Sequence, residues 1–347
     1  VNLANRAKST VDTASPASPP SSSALLEVTD LRVDFHTRAG RVHAVDGVSF
    51  SVAAGETLAV LGESGSGKSV TAQAIMGILD SPPAEIVGGS VLLEGRDLLT
   101  LPAAQRRAAR GSEIALVFQD SLSALNPVQP VARQIAELYR IHRGMGRSEA
   151  WRRAVEMMDR VRIPAAASRA HDYPHQFSGG MRQRIVIAMA LALDPKVVIA
   201  DEPTTALDVT VQAQILDLLA EQQRERDMGL ILITHDLGVA AQVATNAVVM
   251  YAGRIVERSR VRDLFLDPVH PYSHGLVASI PRDLPRGSAL PAIPGMPPSL
   301  TARPGGCQFH PRCPLAQPRC RTDEPPLLPV KDGRESACHF WTKVGER

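Results

Sequence analysis

Gly62-Glu63-Ser64-Gly65-Ser66-Gly67-Lys68-Ser69 satisfies G-x-x-x-x-G-K-[ST] and lies between an apolar run, Thr57 to Leu61, and a stretch with helical spacing, Ser69 to Leu79. Each residue type there has a reason in phosphate binding. Glycines let successive backbone N–H groups turn toward one anion, and the N-terminus of the following helix adds partial positive charge. Lys68 then meets the β- and γ-phosphates of a nucleotide and Ser69 ligates Mg²⁺, with Val70 closing the binding stretch. A second apolar run, Val197 to Ala200, ends in Asp201 and Glu202. At the carboxyl edge of a parallel sheet such residues face the ligand crevice. Asp201 is then placed to position Mg²⁺ and Glu202 to orient an attacking water. A third segment, Phe177-Ser178-Gly179-Gly180-Met181, starts another helix and so offers a second anion site, although Ser-Gly-Gly alone also suits a plain turn or cap.

The chain's four cysteines, Cys307, Cys313, Cys320 and Cys338, are spaced C-x5-C-x6-C-x17-C in a proline-rich stretch. Four thiolates can enclose a [4Fe–4S] cluster. They can equally hold Zn²⁺, for which closer pairs are more usual, and a segment with little apolar content gains most from such a staple. His310 and His339 are not expected to be ligands.

These groups need a scaffold, and 347 residues suffice for about two domains with a core. Hydrophobic residues at 44% and charged residues at 21% exclude wholesale disorder, collagen and coiled coil. A net charge of +2 without runs of like charge gives no reason to expect nucleic acid. The longest apolar run, Ile185 to Leu193, has nine residues against the roughly 20 of a spanning helix, so no membrane crossing is expected. Without a signal-like apolar core near the start, the expected compartment is the cytoplasm, where thiols stay reduced.

Residues 1–23, rich in Ser, Ala, Pro and Thr, read as a disordered tail. Short β-like runs follow, Leu26 to Val28, Leu31 to Phe35 and Val45 to Val52, and predict an antiparallel lead-in sheet. From about 121 to 178, Trp151, Val155, Met158 and Val161 recur at helical spacing and predict an inserted helical subdomain. The apolar runs Val197 to Ala200 and Leu230 to Thr234, with a helical pattern Val211 to Glu225 between them, predict a parallel sheet with right-handed crossovers. A boundary is expected near 268, giving an ATPase-like unit 24–268 and a cysteine-bearing unit 269–347.

Taken with the phosphate loop and the Asp201-Glu202 strand, Phe177 to Met181 resembles the LSGGQ signature of the ATP-binding subunits of ABC transporters, with Phe177 for Leu and Met181 for Gln. The resemblance implies an α/β P-loop ABC ATPase with a RecA-like core, an antiparallel β lead-in, a helical subdomain and a cysteine-containing C-terminal extension. It implies that Gln119 is the Q-loop glutamine that touches Mg²⁺, that Ala206-Leu207-Asp208 is the D-loop, and that His235 is the switch histidine at the γ-phosphate. Adenine is expected to stack on Phe35, with His43 as a substitute. Ser178, Gly179 and Gly180 are expected to receive the γ-phosphate of ATP held by an opposite ATPase subunit.

A narrower resemblance, to ATPases of dipeptide and oligopeptide importers, rests on Ser123 to Pro127, Tyr173-Pro174-His175 and His270 to Ser273; Gln176 stands where that family often has Glu. It implies a peripheral protein at the cytoplasmic face of the membrane. Its partners would be a second ATPase chain (identical or related), two transmembrane permease subunits and an extracytoplasmic peptide-binding protein. Some relatives carry an iron–sulfur cluster in the C-terminal element. The rival readings are an importer of nickel or another small solute, a soluble ABC ATPase serving DNA repair or translation, and a redox sensor in the cysteine segment.

Overall fold

The computed structural model describes residues 24–205, 207–280 and 292–345. The expected tail, 1–23, and Ala206 of the D-loop lie outside the described residues. Among the described residues twelve strands form two sheets. The first is antiparallel, with β1 (Ala24–Thr37) between β2 (Gly40–Ala53) and β4 (Ala84–Leu93), and β5 (Arg96–Asp97) at its edge. This is the lead-in sheet expected from the short alternating runs.

The second sheet holds the chemistry. Its parallel part runs in the order β9 (Asn246–Tyr251), β3 (Thr57–Leu61), β8 (Gly229–Thr234), β7 (Val197–Asp201) and β6 (Ile114–Val117). Every residue of β3, β7 and β8 is buried, because helices or the first sheet cover both faces. β10 (Arg254–Arg260) pairs antiparallel with β9, and the C-terminal strands β12 (Arg334–Ser336) and β11 (Leu328–Lys331) extend the same sheet beyond it. The cysteine-bearing extension is therefore stitched to the main sheet across the position expected for a boundary.

The insertion is helical, as its periodicity predicts. In the helix Val131–Arg143, Val131, Ala132, Ile135, Ala136 and Tyr139 are buried along one stripe, and Gly144 ends the helix at φ 64°. The helix Arg147–Arg160 packs Ala150, Ala154, Met157 and Met158 against the same core, which continues through Ile185 and Leu191 to Val198 and Leu232.

Glu257 marks the seam between β10 and the extension. It is fully buried and paired in register with Ser336, and its carboxylate accepts the backbone N–H groups of Val269 at 3.1 Å and His270 at 2.8 Å. Burial pushes its pKa up to about 7 against the opposing effect of hydrogen bonds. An acid raised in the folded state contributes stability that is complete below its unfolded pKa and lost as pH rises through the folded one. The wild-type unfolding free energy should therefore fall relative to that of Glu257→Gln between pH about 4.5 and about 7, by up to about 3 kcal/mol. Urea unfolding of both chains across that range checks it; parallel curves would contradict the assignment.

Candidate functional site

The phosphate loop leaves the carboxyl end of β3 and enters the helix Lys68–Met76. Its glycines are required by space as well as by backbone angle. Gly62 has φ 148°, and a Cβ there would stand 2.3 Å from the carbonyl oxygen of Met250. At Gly67, φ 100°, a Cβ would stand 2.5 Å from that of Ala44. Lys68 is 4% exposed and donates from Nζ to the carbonyls of Gly62 (2.8 Å) and Glu63 (3.0 Å), so it lies folded along the inside of the loop. The buried hydroxyl of Ser66 has no partner among the described residues, which suits a loop built to receive an anion. Ser64 and Gly65 are exposed at the tip, whereas Val70 packs toward the core.

Asp201 ends β7, which β8 separates from β3, and its Oδ1 accepts from the Ser69 hydroxyl at 3.1 Å. Burial raises the Asp201 pKa, helped by the charge of Glu202 and opposed by Ser69 and Lys68. Burial lowers the Lys68 pKa against the pull of Glu202, Asp201 and Glu63. The Ser69–Asp201 pair fits Mg²⁺. No three His, Cys, Asp or Glu side chains among the described residues are grouped to hold a metal ion by themselves, so Ser69 and Asp201 would hold Mg²⁺ together with further oxygen ligands such as those of phosphate and water. Bound Mg²⁺ would offset the charge of the β- and γ-phosphates.

Glu202 is the hub. Gln119 Nε2 donates to its Oε2 at 2.9 Å, the Thr205 hydroxyl donates to the same oxygen at 2.9 Å, and His235 Nδ1 lies 3.1 Å from Oε1. Burial acts to raise the Glu202 pKa, but the His235 and Thr205 hydrogen bonds and the charges of His235 and Lys68 outweigh it and hold the carboxyl below its usual range. Glu202 also takes φ 44°, a left-handed conformation that a non-glycine residue adopts at a cost. Gln119 thus reaches Glu202 rather than the Ser69–Asp201 pair. Thr205 escaped the sequence reading because a Thr three residues after a carboxylate is an ordinary turn residue.

Ser178 caps the helix Gly179–Leu191, accepting from Met181 N. Gly180 is needed there: a Cβ would stand 2.5 Å from Val211 Cγ1, on the helix that follows Glu202. Both departures from LSGGQ meet one side chain, since the Arg169 guanidinium sits 4.1 Å from the centre of the Phe177 ring and donates to Met181 Sδ. Among the described residues no hydrogen bond links Ser178, Gly179 or Gly180 to the Lys68–Glu202 group. Phe35 is half-buried against the core of the first sheet, and His43 pairs with the buried Asp34.

The four cysteines converge. Cys307, Cys313, Cys320 and Cys338 are free thiols lining one cavity, closed by Phe309 and Phe340. Burial raises the pKa of Cys307, and pushes Cys313 up to about 11 and Cys338 up to about 12, with the neighbouring sulfurs adding to each. His310 Nδ1 and His339 Nε2 are instead spent on the carbonyls of Cys307 and Asp323. No three of these residues are arranged to hold one ion, so the described geometry offers no closed zinc site.

Comparison with known proteins agrees with this architecture. Residues 45–205 match the ABC transporter family model, and 256–320 match that of the oligopeptide/dipeptide transporter C-terminal region. The chain is 50% identical over 320 residues to the oligopeptide transport ATP-binding protein OppD of Salmonella typhimurium, covering 92% of this chain and 95% of that one. OppD of Bacillus subtilis is 50% identical over 309 residues, 89% and 86% of the two chains. Among solved structures, the dimeric ATP-binding cassette MJ0796, in a post-hydrolysis state with ADP and Pi, superposes with a TM-score of 0.61 at 26% identity, over 68% of this chain and 99% of that one. The structure of cbiO1 from Clostridium perfringens, part of the ABC transporter complex cbiONQ, gives 0.59 at 27% identity, over 70% and 91%. The chain belongs to the ATP-binding proteins of the oligopeptide/dipeptide ABC transporter family.

Proposed function

We propose that this chain hydrolyses ATP to drive import of oligopeptides or dipeptides. The observation that carries the reading is the convergence of Gln119, Thr205 and His235 on Glu202, beside Lys68 and the Ser69–Asp201 pair. Lys68 binds the phosphates, Glu202 takes the proton of the attacking water, and Gln119 and His235 hold that carboxylate in place. Two cassettes meet head to tail, so that Ser178, Gly179 and Gly180 of one complete the γ-phosphate site of the other. The dimeric ADP-bound relative supports this pairing. The C-terminal match favours peptides over nickel, and transport over DNA repair or translation. No helix among the described residues is long and apolar enough to cross a membrane, in keeping with a peripheral subunit docked on two permease subunits and served by a peptide-binding protein.

We further propose that the cysteine cavity takes a [4Fe–4S] cluster. Four free thiols line one cavity, and four cysteines are the number of ligands that such a cluster takes. Cys307, Cys313, Cys320 and Cys338 would hold it as thiolates, and a bound cluster would knit together a segment poor in apolar side chains.

Purification of the chain from gently solubilised membranes tests both readings. Two membrane proteins and a peptide-binding protein should accompany it, with about four irons per chain. Recovery with ribosomes or DNA would overturn the transport reading, and zinc without iron would overturn the cluster.

A further inference from the structure

Glu63, the second residue of the phosphate loop, is held from the cysteine-bearing extension. Arg312, on the turn between Cys307 and Cys313, closes a bidentate ion pair on it: Nη1 lies 2.7 Å from Oε2 and Nη2 lies 3.0 Å from Oε1. The Arg312 side chain is 5% exposed and that of Glu63 28%. Arg312 Nε donates to the Pro294 carbonyl at 2.9 Å, and Nη1 lies 3.4 Å from Tyr251 Oη, so every guanidinium nitrogen is engaged. From the same side the hydroxyl of the fully buried Tyr272 accepts the backbone N–H of Glu63 at 2.8 Å. The Glu63 carbonyl in turn accepts from Lys68 Nζ. The extension thus grips one of the two loop residues whose carbonyls hold the phosphate-binding lysine.

We propose that Arg312 is a positioning residue for ATP, anchoring the phosphate loop through Glu63 in the shape that presents Lys68 to the phosphates. The proposal rests on residues 62–69 being the nucleotide site. A loop with glycines at 62, 65 and 67 has conformational freedom to lose when it closes on an anion, and an anchor that removes that freedom beforehand strengthens binding. A bidentate guanidinium–carboxylate pair withdrawn from solvent is strong enough and directional enough to do so. The pair leaves Glu202 and its partners untouched, so its effect belongs to nucleotide binding rather than to the chemical step.

The test is Mg·ATP affinity by titration calorimetry, with steady-state kcat and KM, on the full chain. Arg312→Ala should raise Kd and KM about tenfold with kcat within about twofold, and Arg312→Lys should recover part of the loss. Glu63→Gln, nearly isosteric, breaks the pair from the loop side without touching the extension and should give a similar loss. The double variant should be no weaker than the weaker single one. An unchanged Kd in both single variants, additive losses, or a loss confined to kcat would overturn the proposal. Lys68→Ala serves as the reference: if it leaves ATP binding intact, the nucleotide-loop reading itself falls, and the role of Arg312 with it.

Discussion

Glu202→Gln should bind Mg·ATP about as tightly as the native chain and hydrolyse it on the order of 10³-fold more slowly. Removal of a positioned general base typically costs between about 10² and 10⁴ in rate. Glutamine keeps the length of the side chain, so the loss falls on proton transfer and not on shape. The environment argues for the ionised form: His235 and Thr205 outweigh burial and hold Glu202 below the usual carboxylate range. The part of hydrolysis that depends on ionised Glu202 should therefore persist as pH falls through that range and be lost only below it. Phosphate release and ATP titration on the two chains, with a pH profile of the native one, provide the measurement. Near-normal turnover in the variant would remove Glu202 from the mechanism.

Lys68→Ala should weaken ATP binding by about a hundredfold. A hydrogen bond to a charged group contributes about 1.5–3 kcal/mol, and Lys68 supplies a nearly buried cation at the centre of the loop. Truncation also leaves the carbonyls of Gly62 and Glu63 without their donor, so the loop loses its internal brace together with its charge. Burial lowers the Lys68 pKa, and the charge-dependent part of ATP affinity should accordingly fade at a lower pH than for an exposed lysine. Calorimetric titration at neutral and alkaline pH reads both effects; affinity within about twofold of native in Lys68→Ala would contradict the assignment.

These two predictions rest on residues that could be read without a structure, whereas the Arg312 and Glu257 predictions could not. Thr57–Leu61, Val197–Asp201 and Gly229–Thr234 announce buried parallel strands because both faces of each are covered, leaving runs with no polar alternation. Gly62 to Ser69 is equally local: loop, lysine and helix start are contiguous, and the anion site follows from backbone geometry over eight residues. The helical insertion was legible from its periodicity; outside it, the helices Lys68–Met76 and Val209–Arg226 begin or end a few residues from where the spacing alone suggests.

What the amino-acid order determined by itself, then, was the kind of chemistry and the strands that carry it, because those signals depend on neighbours in the chain. The tertiary structure decided which side chains meet. It brought Gln119 and His235 from two distant segments to the Glu202 carboxylate, seated Arg169 against both Phe177 and Met181, and buried Glu257 at a seam between β10 and β12. It also set Arg312 on Glu63 across 249 residues. Such contacts arise when the sheet places distant segments side by side, and no periodicity or motif in either segment encodes the identity of its partner.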